Sequence, residues 1–132
     1  MSDLRRPSIL CVDDERSGLL MRRLLLESQG YRVLTSESGV EGIAVLRAEA
    51  VDLVLLDYMM PGEDGSVVAE KMKSIRPSVP ILMLSAYVDL PSEMLIHVDR
   101  YVIKGQSPEG LLSAVAELLK SSSTDSSHPA AT

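Results

Sequence analysis

Three carboxylates follow two apolar segments of the chain, and they are the residues best placed to do chemistry. Asp13 and Asp14 come directly after the apolar run 9–12, and Asp57 follows the mainly apolar run 51–56. Such runs are typical of strands covered on both faces, so carboxylates at their ends would meet solvent at the edge of the sheet. In open α/β sheets, ligands bind at that edge. The pattern therefore predicts a cation site.

The chemistry predicted for this site is phosphate chemistry. If the two strands are neighbours, the three acids converge, and like charges that close cannot all ionise cheaply without a cation. Hard oxygen ligands favour Mg²⁺, which commonly joins one or two carboxylates to a phosphoryl group. Ser85 and Lys104 end two further apolar runs. They would bring a hydroxyl donor and an ammonium charge to the same edge, where both can bind phosphoryl oxygens.

The elements that must position these residues follow from the alternation of short apolar runs with amphipathic stretches. This pattern is typical of βα units repeated around a parallel sheet. We predict strands at 8–12, 31–35, 52–56, 81–85 and 100–103. Helices are predicted at 16–29, 39–50, from 65 to before Pro77, over a short segment 91–98, and from Pro108 onwards. The predicted fold class is α/β, with a doubly wound, five-stranded parallel sheet.

Length and composition restrict the kind of protein. The chain has 132 residues and a formal net charge of -6, which fit one domain and argue against a nucleic-acid surface. We predict a single domain over residues 1–120 and a disordered, Ser/Thr-rich tail over 121–132, because that tail has almost nothing to bury. The sequence shows no signal-peptide core and no membrane-length apolar segment, so we expect a cytoplasmic protein without a membrane partner. Cys11, the only cysteine, is predicted to be an inert buried residue.

Four stretches, in this order and spacing, resemble the receiver domain of two-component response regulators, the CheY-like superfamily. They are Val-Asp-Asp-Glu at 12–15, Leu-Leu-Asp-Tyr-Met-Met-Pro-Gly-Glu-Asp-Gly at 55–65, Leu-Ser-Ala at 84–86 and Tyr-Val-Ile-Lys at 101–104. The resemblance extends over about 8–119. It implies a flavodoxin-like (βα)5 fold with the strand order 2-1-3-4-5.

The resemblance also implies a phosphoacceptor and its metal ligands. Asp57 would accept a phosphoryl group from a phosphohistidine on a histidine kinase or a histidine phosphotransfer protein. Mg²⁺ would be held by Asp14, Asp57 and the backbone carbonyl of Met59, and Asp13 would act directly or through a water. The domain would phosphorylate and dephosphorylate itself without turning over a separate substrate.

Three further residues are implied to contact the phosphoryl group or to transmit the signal. Lys104 and Ser85 would contact the bound phosphoryl group, and Tyr101 would change rotamer as Ser85 moves. We therefore expect a phosphorelay signalling domain with two conformations. Because no effector segment follows the fifth helix, output is expected through a separate downstream effector protein. The sequence leaves open whether the chain forms a homodimer.

Departures from the family pattern carry their own expectations. Gly105 follows Lys104 where the family usually has proline with a cis peptide, and a cis bond before a non-proline residue costs about 2.5–4 kcal/mol. We therefore predict a trans peptide and an unusual backbone conformation at Gly105. The span from Ser85 to Lys104 looks about one helical turn short, which weakens the fourth helix as a signalling surface. Met59 and Tyr87, at positions that usually tune hydrolysis, are bulky and predict a long-lived phosphorylated state.

Two other functions compete with this interpretation. A Mg²⁺-dependent phosphatase can also use a strand-end aspartyl nucleophile, but such enzymes usually need an acid two residues later, where this chain has Met59. A phosphorylation-independent receiver-like interaction module would leave the acidic pocket unused, which its intact residues argue against.

The first helix carries more leucine than one buried stripe requires. We expect part of this surplus to form an apolar patch for a kinase or phosphotransfer helix, with covering loops or self-association as the alternatives. The leucines concerned are Leu19, Leu20, Leu24, Leu25 and Leu26.

Overall fold

Five parallel strands form one sheet in the computed structural model, which describes residues 6–86, 89–105 and 107–127, with side chains up to Ser121 in the last helix. The strands are β1 (Ser8–Val12), β2 (Arg32–Ser36), β3 (Leu53–Asp57), β4 (Ile81–Ser85) and β5 (Arg100–Ile103). Their order in the sheet is β2-β1-β3-β4-β5, and every neighbouring pair is parallel. The predicted α/β class and strand order are confirmed, and each strand lies within one residue of its predicted bounds.

In the described part of the chain, three α-helices connect successive strands and a fourth follows β5. They are α1 (Arg16–Glu27), α2 (Gly39–Ala48), α3 (Gly65–Ile75) and α4 (Pro108–Ser127). The helices cover both faces of the sheet, which is why the central strands are apolar on both sides.

Alternate residues of each strand supply the two halves of the core. Leu10 of β1 faces the cluster that α2 and α3 cover, whereas Ile9 faces the cluster that α1 and α4 cover. Both side chains are fully buried, and each such side chain contributes about 1.5–3 kcal/mol to folding. Cys11 joins the second cluster, and burial raises the pKa of its thiol to about 12. The prediction that Cys11 is a buried residue is confirmed.

The segment between β4 and β5 differs from the prediction of a fourth α-helix over 91–98. Its regular part is one turn of 3-10 helix, Ser92–Leu95. The backbone bonds around it join residues three apart: Met94 donates to Pro91 (2.9 Å) and Val98 to Leu95 (3.1 Å). The prediction of an α-helix was wrong because Asp99 must return at once to the sheet, where its backbone N–H donates to the carbonyl of Ile81 (2.9 Å).

The last helix also differs from the prediction. It continues to Ser127, seven residues into the segment predicted to be a disordered tail from residue 121, while residues 128–132 lie outside the described residues. Once a helix is started, each added residue gains one backbone hydrogen bond, so polar residues can prolong a packed helix. Even this helix lacks the apolar character needed to cross a membrane, and the same holds for every helix in the described part of the chain.

Candidate functional site

The three predicted acids meet at the carboxyl edge of the two central strands. Because β1 pairs with β3 so that Val12 lies opposite Leu56, the residues that follow, Asp13 and Asp57, arrive side by side. Carboxylate oxygens of these two residues and of Asp14 all lie within 4.8 Å of one another. Asp13 and Asp57 are 1% and 3% exposed, whereas Asp14 faces solvent. This set of hard oxygen donors fits a small divalent cation.

Lys104 reaches the same acids from the edge strand. Its Nζ lies 3.1 Å from Oδ1 of Asp57 and 3.3 Å from Oδ2 of Asp13. Its backbone is held by β4, because its N–H donates to the carbonyl of Ser85 at 2.7 Å. The ammonium therefore bridges two nearly buried carboxylates.

Burial and the partner charges act in opposite directions on the pKa values of Asp57 and Lys104. Burial raises the pKa of Asp57 to about 6. The hydrogen bond from Lys104 lowers this pKa, and the charge of Asp13 raises it further. Burial lowers the pKa of Lys104, but the hydrogen bond and charge of Asp57, together with Asp13, outweigh it and leave that pKa above its ordinary value. Above about pH 6, Asp57 is therefore an ionised carboxylate that is more basic than a solvated one.

The loop after Asp57 is held close to the sheet. Gly65 opens α3 directly against Tyr58, and a Cβ at Gly65 would lie 2.8 Å from the Tyr58 backbone. Between them, Met59–Met60 pairs antiparallel with Glu63–Asp64. Met59 is 56% exposed, so its side chain faces outward from this tight loop.

Ser85 and Tyr101 occupy different levels of the sheet. Ser85 ends β4, is 1% exposed, and follows Leu84, which lies opposite Asp57. Tyr101 lies in β5 opposite Met83 and packs, half-buried, against the core cluster under α2 and α3. The fold thus brings Ser85 to the edge where the acids lie and leaves Tyr101 farther from it. Tyr87 lies outside the described residues.

The backbone at Gly105 and the leucines of α1 can be compared with the sequence predictions. No cis peptide bond occurs among the described residues, and Gly105 has φ +85°, so the predicted trans peptide with an unusual glycine conformation is confirmed. On α1, Leu20 and Leu24 are 55% and 58% exposed, as the surplus of leucine predicted. Leu19 and Leu26 are buried, so they do not contribute to this surface patch.

Arg22 belongs to the site although the sequence interpretation did not select it. Its Nη2 donates to Oδ2 of Asp13, and its side chain is only 16% exposed. The available signal was its position on α1: the buried Leu19 and Leu26 lie three residues before it and four after it. This spacing marks one helix face, so Arg22 stands on the face that packs against the sheet.

Comparison with known proteins assigns the family. A model of the response regulator receiver domain matches residues 9–116. The chain belongs to this family. A receiver domain protein from Methanospirillum hungatei JF-1, described as CheY-like, has 29% identity and a TM-score of 0.87, over 92% of this chain and 99% of that one.

Two further relatives show how the length of this chain compares with that of similar proteins. The response regulator TrrA from Thermotoga maritima, solved in complex with Mg²⁺ and BeF, has 32% identity and a TM-score of 0.80, over 85% of this chain and 98% of that one. The transcriptional regulatory protein GlrR from Escherichia coli K12 is 33% identical over 86% of this chain but only 26% of its own length. The receiver domain thus spans about a quarter of that relative and about half of several others.

Proposed function

We propose that this receiver domain accepts a phosphoryl group on Asp57 from a phosphohistidine of a histidine kinase or a histidine phosphotransfer protein. One observation carries the proposal: a nearly buried carboxylate, with its pKa raised to about 6, lies within reach of two other acids and 3.1 Å from an ammonium group. An acid in this setting is both nucleophilic and next to a cation that can take up the negative charge of phosphoryl oxygens.

The transfer exchanges one covalent bond for another. A carboxylate oxygen of Asp57 forms a bond to phosphorus as the bond from phosphorus to the donor's imidazole nitrogen breaks, and that nitrogen keeps the electron pair. Asp14, Asp57, the carbonyl of Met59 and Asp13, directly or through a water, would hold Mg²⁺. The ion would neutralise the acids and the phosphoryl oxygens. Lys104 would then move from the carboxylate to a phosphoryl oxygen.

The conformational response would begin at Ser85. A phosphoryl group adds about -1.5 to -2 charges on ordinary phosphoresidues, which gives the Ser85 hydroxyl a strong acceptor. Because packed cores have discrete arrangements, movement of Ser85 would let Tyr101 change rotamer and alter the β4 and β5 surface. A separate effector protein would read that surface. The exposed, bulky Met59 offers no group to orient an attacking water, which supports a long-lived phosphorylated state.

The test is intact-protein mass spectrometry after incubation with acetyl phosphate and Mg²⁺. We expect the wild type to gain one phosphoryl group, and expect no gain in Asp57→Asn or in the presence of EDTA. Asp64→Asn is a matched control, because it removes an equal charge from the same loop and keeps a residue that can cap α3. If the folded wild type gains nothing, the phosphoacceptor proposal fails and the interaction-module alternative is favoured.

A further inference from the structure

Arg22 engages a carboxylate that the proposed function assigns to a metal. Asp13 has no free oxygen in this arrangement. Oδ1 accepts the backbone N–H of Glu15 at 3.0 Å, and Oδ2 accepts both Arg22 and, at 3.3 Å, the ammonium of Lys104. With only 2% of its side chain exposed, Asp13 has little access to water as an alternative partner. A cation that binds Oδ2 of Asp13 therefore competes with Arg22 and Lys104 for that oxygen.

A glycine on α1 leaves space for the Arg22 guanidinium beside Asp13. Gly18 precedes Arg22 by one turn, and a Cβ at Gly18 would lie 3.3 Å from Nη2 and 3.5 Å from Nη1 of Arg22. The missing side chain leaves room for the guanidinium to lie back along α1 towards Asp13. Arg22 and Lys104 also line an open cleft of about 410 Å³ between α1, β5 and α4. This cleft provides space into which the arginine can withdraw.

Charge makes Arg22 a competitor for a metal. With the three acids ionised, Lys104 and Arg22 leave the site one negative charge, and without Arg22 it would carry two. A guanidinium and a divalent cation on the same carboxylate repel each other, and burial weakens the screening that would reduce this repulsion.

We propose that Arg22 is the resident counter-ion of Asp13 and that Mg²⁺ must displace it, so that Arg22 sets the Mg²⁺ concentration at which the site fills. The inference rests on the proposed function, since it assumes that the acidic site binds Mg²⁺. It adds that this chain carries its own cation in the metal-free state, which stabilises the acids and raises the threshold for metal binding.

The test is isothermal titration calorimetry of MgCl₂ into unphosphorylated Arg22→Met and Arg23→Met proteins. Arg23→Met is the matched control, because it removes the same charge from the next residue of α1. Arg23 pairs in solvent with Glu27 at 3.1 Å and does not contact the acids of the site. We expect Arg22→Met to bind Mg²⁺ about tenfold more tightly than Arg23→Met. Equal affinities overturn the inference and leave the proposed function intact. Weaker binding by Arg22→Met also overturns it, and makes Arg22 a residue that positions Asp13 for the metal.

A second measurement needs no substitution. The Nε–H resonance of Arg22 in the wild type, followed by NMR during the Mg²⁺ titration, is expected to move towards that of a solvated arginine and to saturate together with the calorimetric binding. A resonance that stays unchanged while Mg²⁺ binds overturns the inference alone. If the folded wild type binds no Mg²⁺ at all, the inference and the metal-dependent function fail together.

Discussion

At the level of single residues, Asp57 makes the stability of the metal-free protein depend on pH. Its pKa is about 6 in the folded chain against an ordinary value of 3.8, so between these values the folded protein holds a proton that the unfolded chain has lost. Stability from this group therefore falls as pH rises through that window and is constant above it. The difference between the two pKa values corresponds to a loss of about 3 kcal/mol in the free energy of unfolding across that window.

Urea denaturation in EDTA at two pH values checks this prediction. We expect Asp57→Asn to exceed the wild type in unfolding free energy by up to about 3 kcal/mol at pH 7.5, and by clearly less at pH 4.5, because the amide cannot ionise. Asp64→Asn, which removes an exposed carboxylate from the same loop, is the control for loss of a charge. A constant gap between Asp57→Asn and wild type at both pH values would contradict the assigned pKa shift.

At the level of elements, the loop between β3 and α3 is tied on two sides. Glu63 leaves this loop to accept the N–H groups of Gly39 at 2.7 Å and Val40 at 3.1 Å, and so caps the start of α2. A carboxylate at a helix N-terminus is favourable because unpaired N–H groups and the positive end of the helix dipole meet it. Gly65 anchors the other side against Tyr58. The loop that follows Asp57 is therefore held by both neighbouring helices, α2 and α3.

Gly65→Ala tests the importance of this anchor. Because its Cβ would meet backbone atoms at 2.8 Å, we expect a loss of about 1–3 kcal/mol in unfolding free energy and slower phosphorylation of Asp57 by acetyl phosphate. Gly110→Ala, in the first turn of α4, is the control. A Cβ at Gly110 would lie 3.9 Å from the nearest neighbouring atom, Oγ of Ser107. That change should be neutral or stabilise the protein by about 0.5–1 kcal/mol. Equal effects of the two substitutions would show that the close approach does not matter.

At the level of the whole molecule, metal binding at one edge should stabilise the entire fold. The three acids come from the ends of the two central strands, so they assemble only in the folded chain. A ligand that binds only the folded state stabilises it by mass action, by about 2.7 kcal/mol at a hundred times its dissociation constant. The site is thus coupled to global unfolding.

Thermal unfolding followed by circular dichroism measures this coupling. We expect the midpoint to rise by several degrees as MgCl₂ is increased, and expect little rise with NaCl at equal ionic strength. Asp13→Asn should abolish the difference between the two salts while retaining a cooperative transition. A wild-type midpoint that responds equally to both salts would exclude a specific Mg²⁺ site.

The sequence by itself determined the architecture and most of the candidate site. Apolar runs such as 9–12 and 81–85 can only be buried in a covered sheet, and parallel strands place their carboxyl ends at one edge. Asp13, Asp57 and Lys104 were therefore predictable as neighbours before any distance was known. Local periodicity located these strands and their ends, whereas the strand order that makes β1 and β3 neighbours followed from the resemblance to receiver domains.

The tertiary structure alone decided contacts that depend on how elements pack. Arg22 meets Asp13 only because α1 turns that face towards the sheet edge and Gly18 leaves room beside it. The return of Asp99 to β4 shortens the predicted fourth helix to a single 3-10 turn. These outcomes depend on helix orientation and side-chain reach between residues far apart in the chain, which periodicity does not encode.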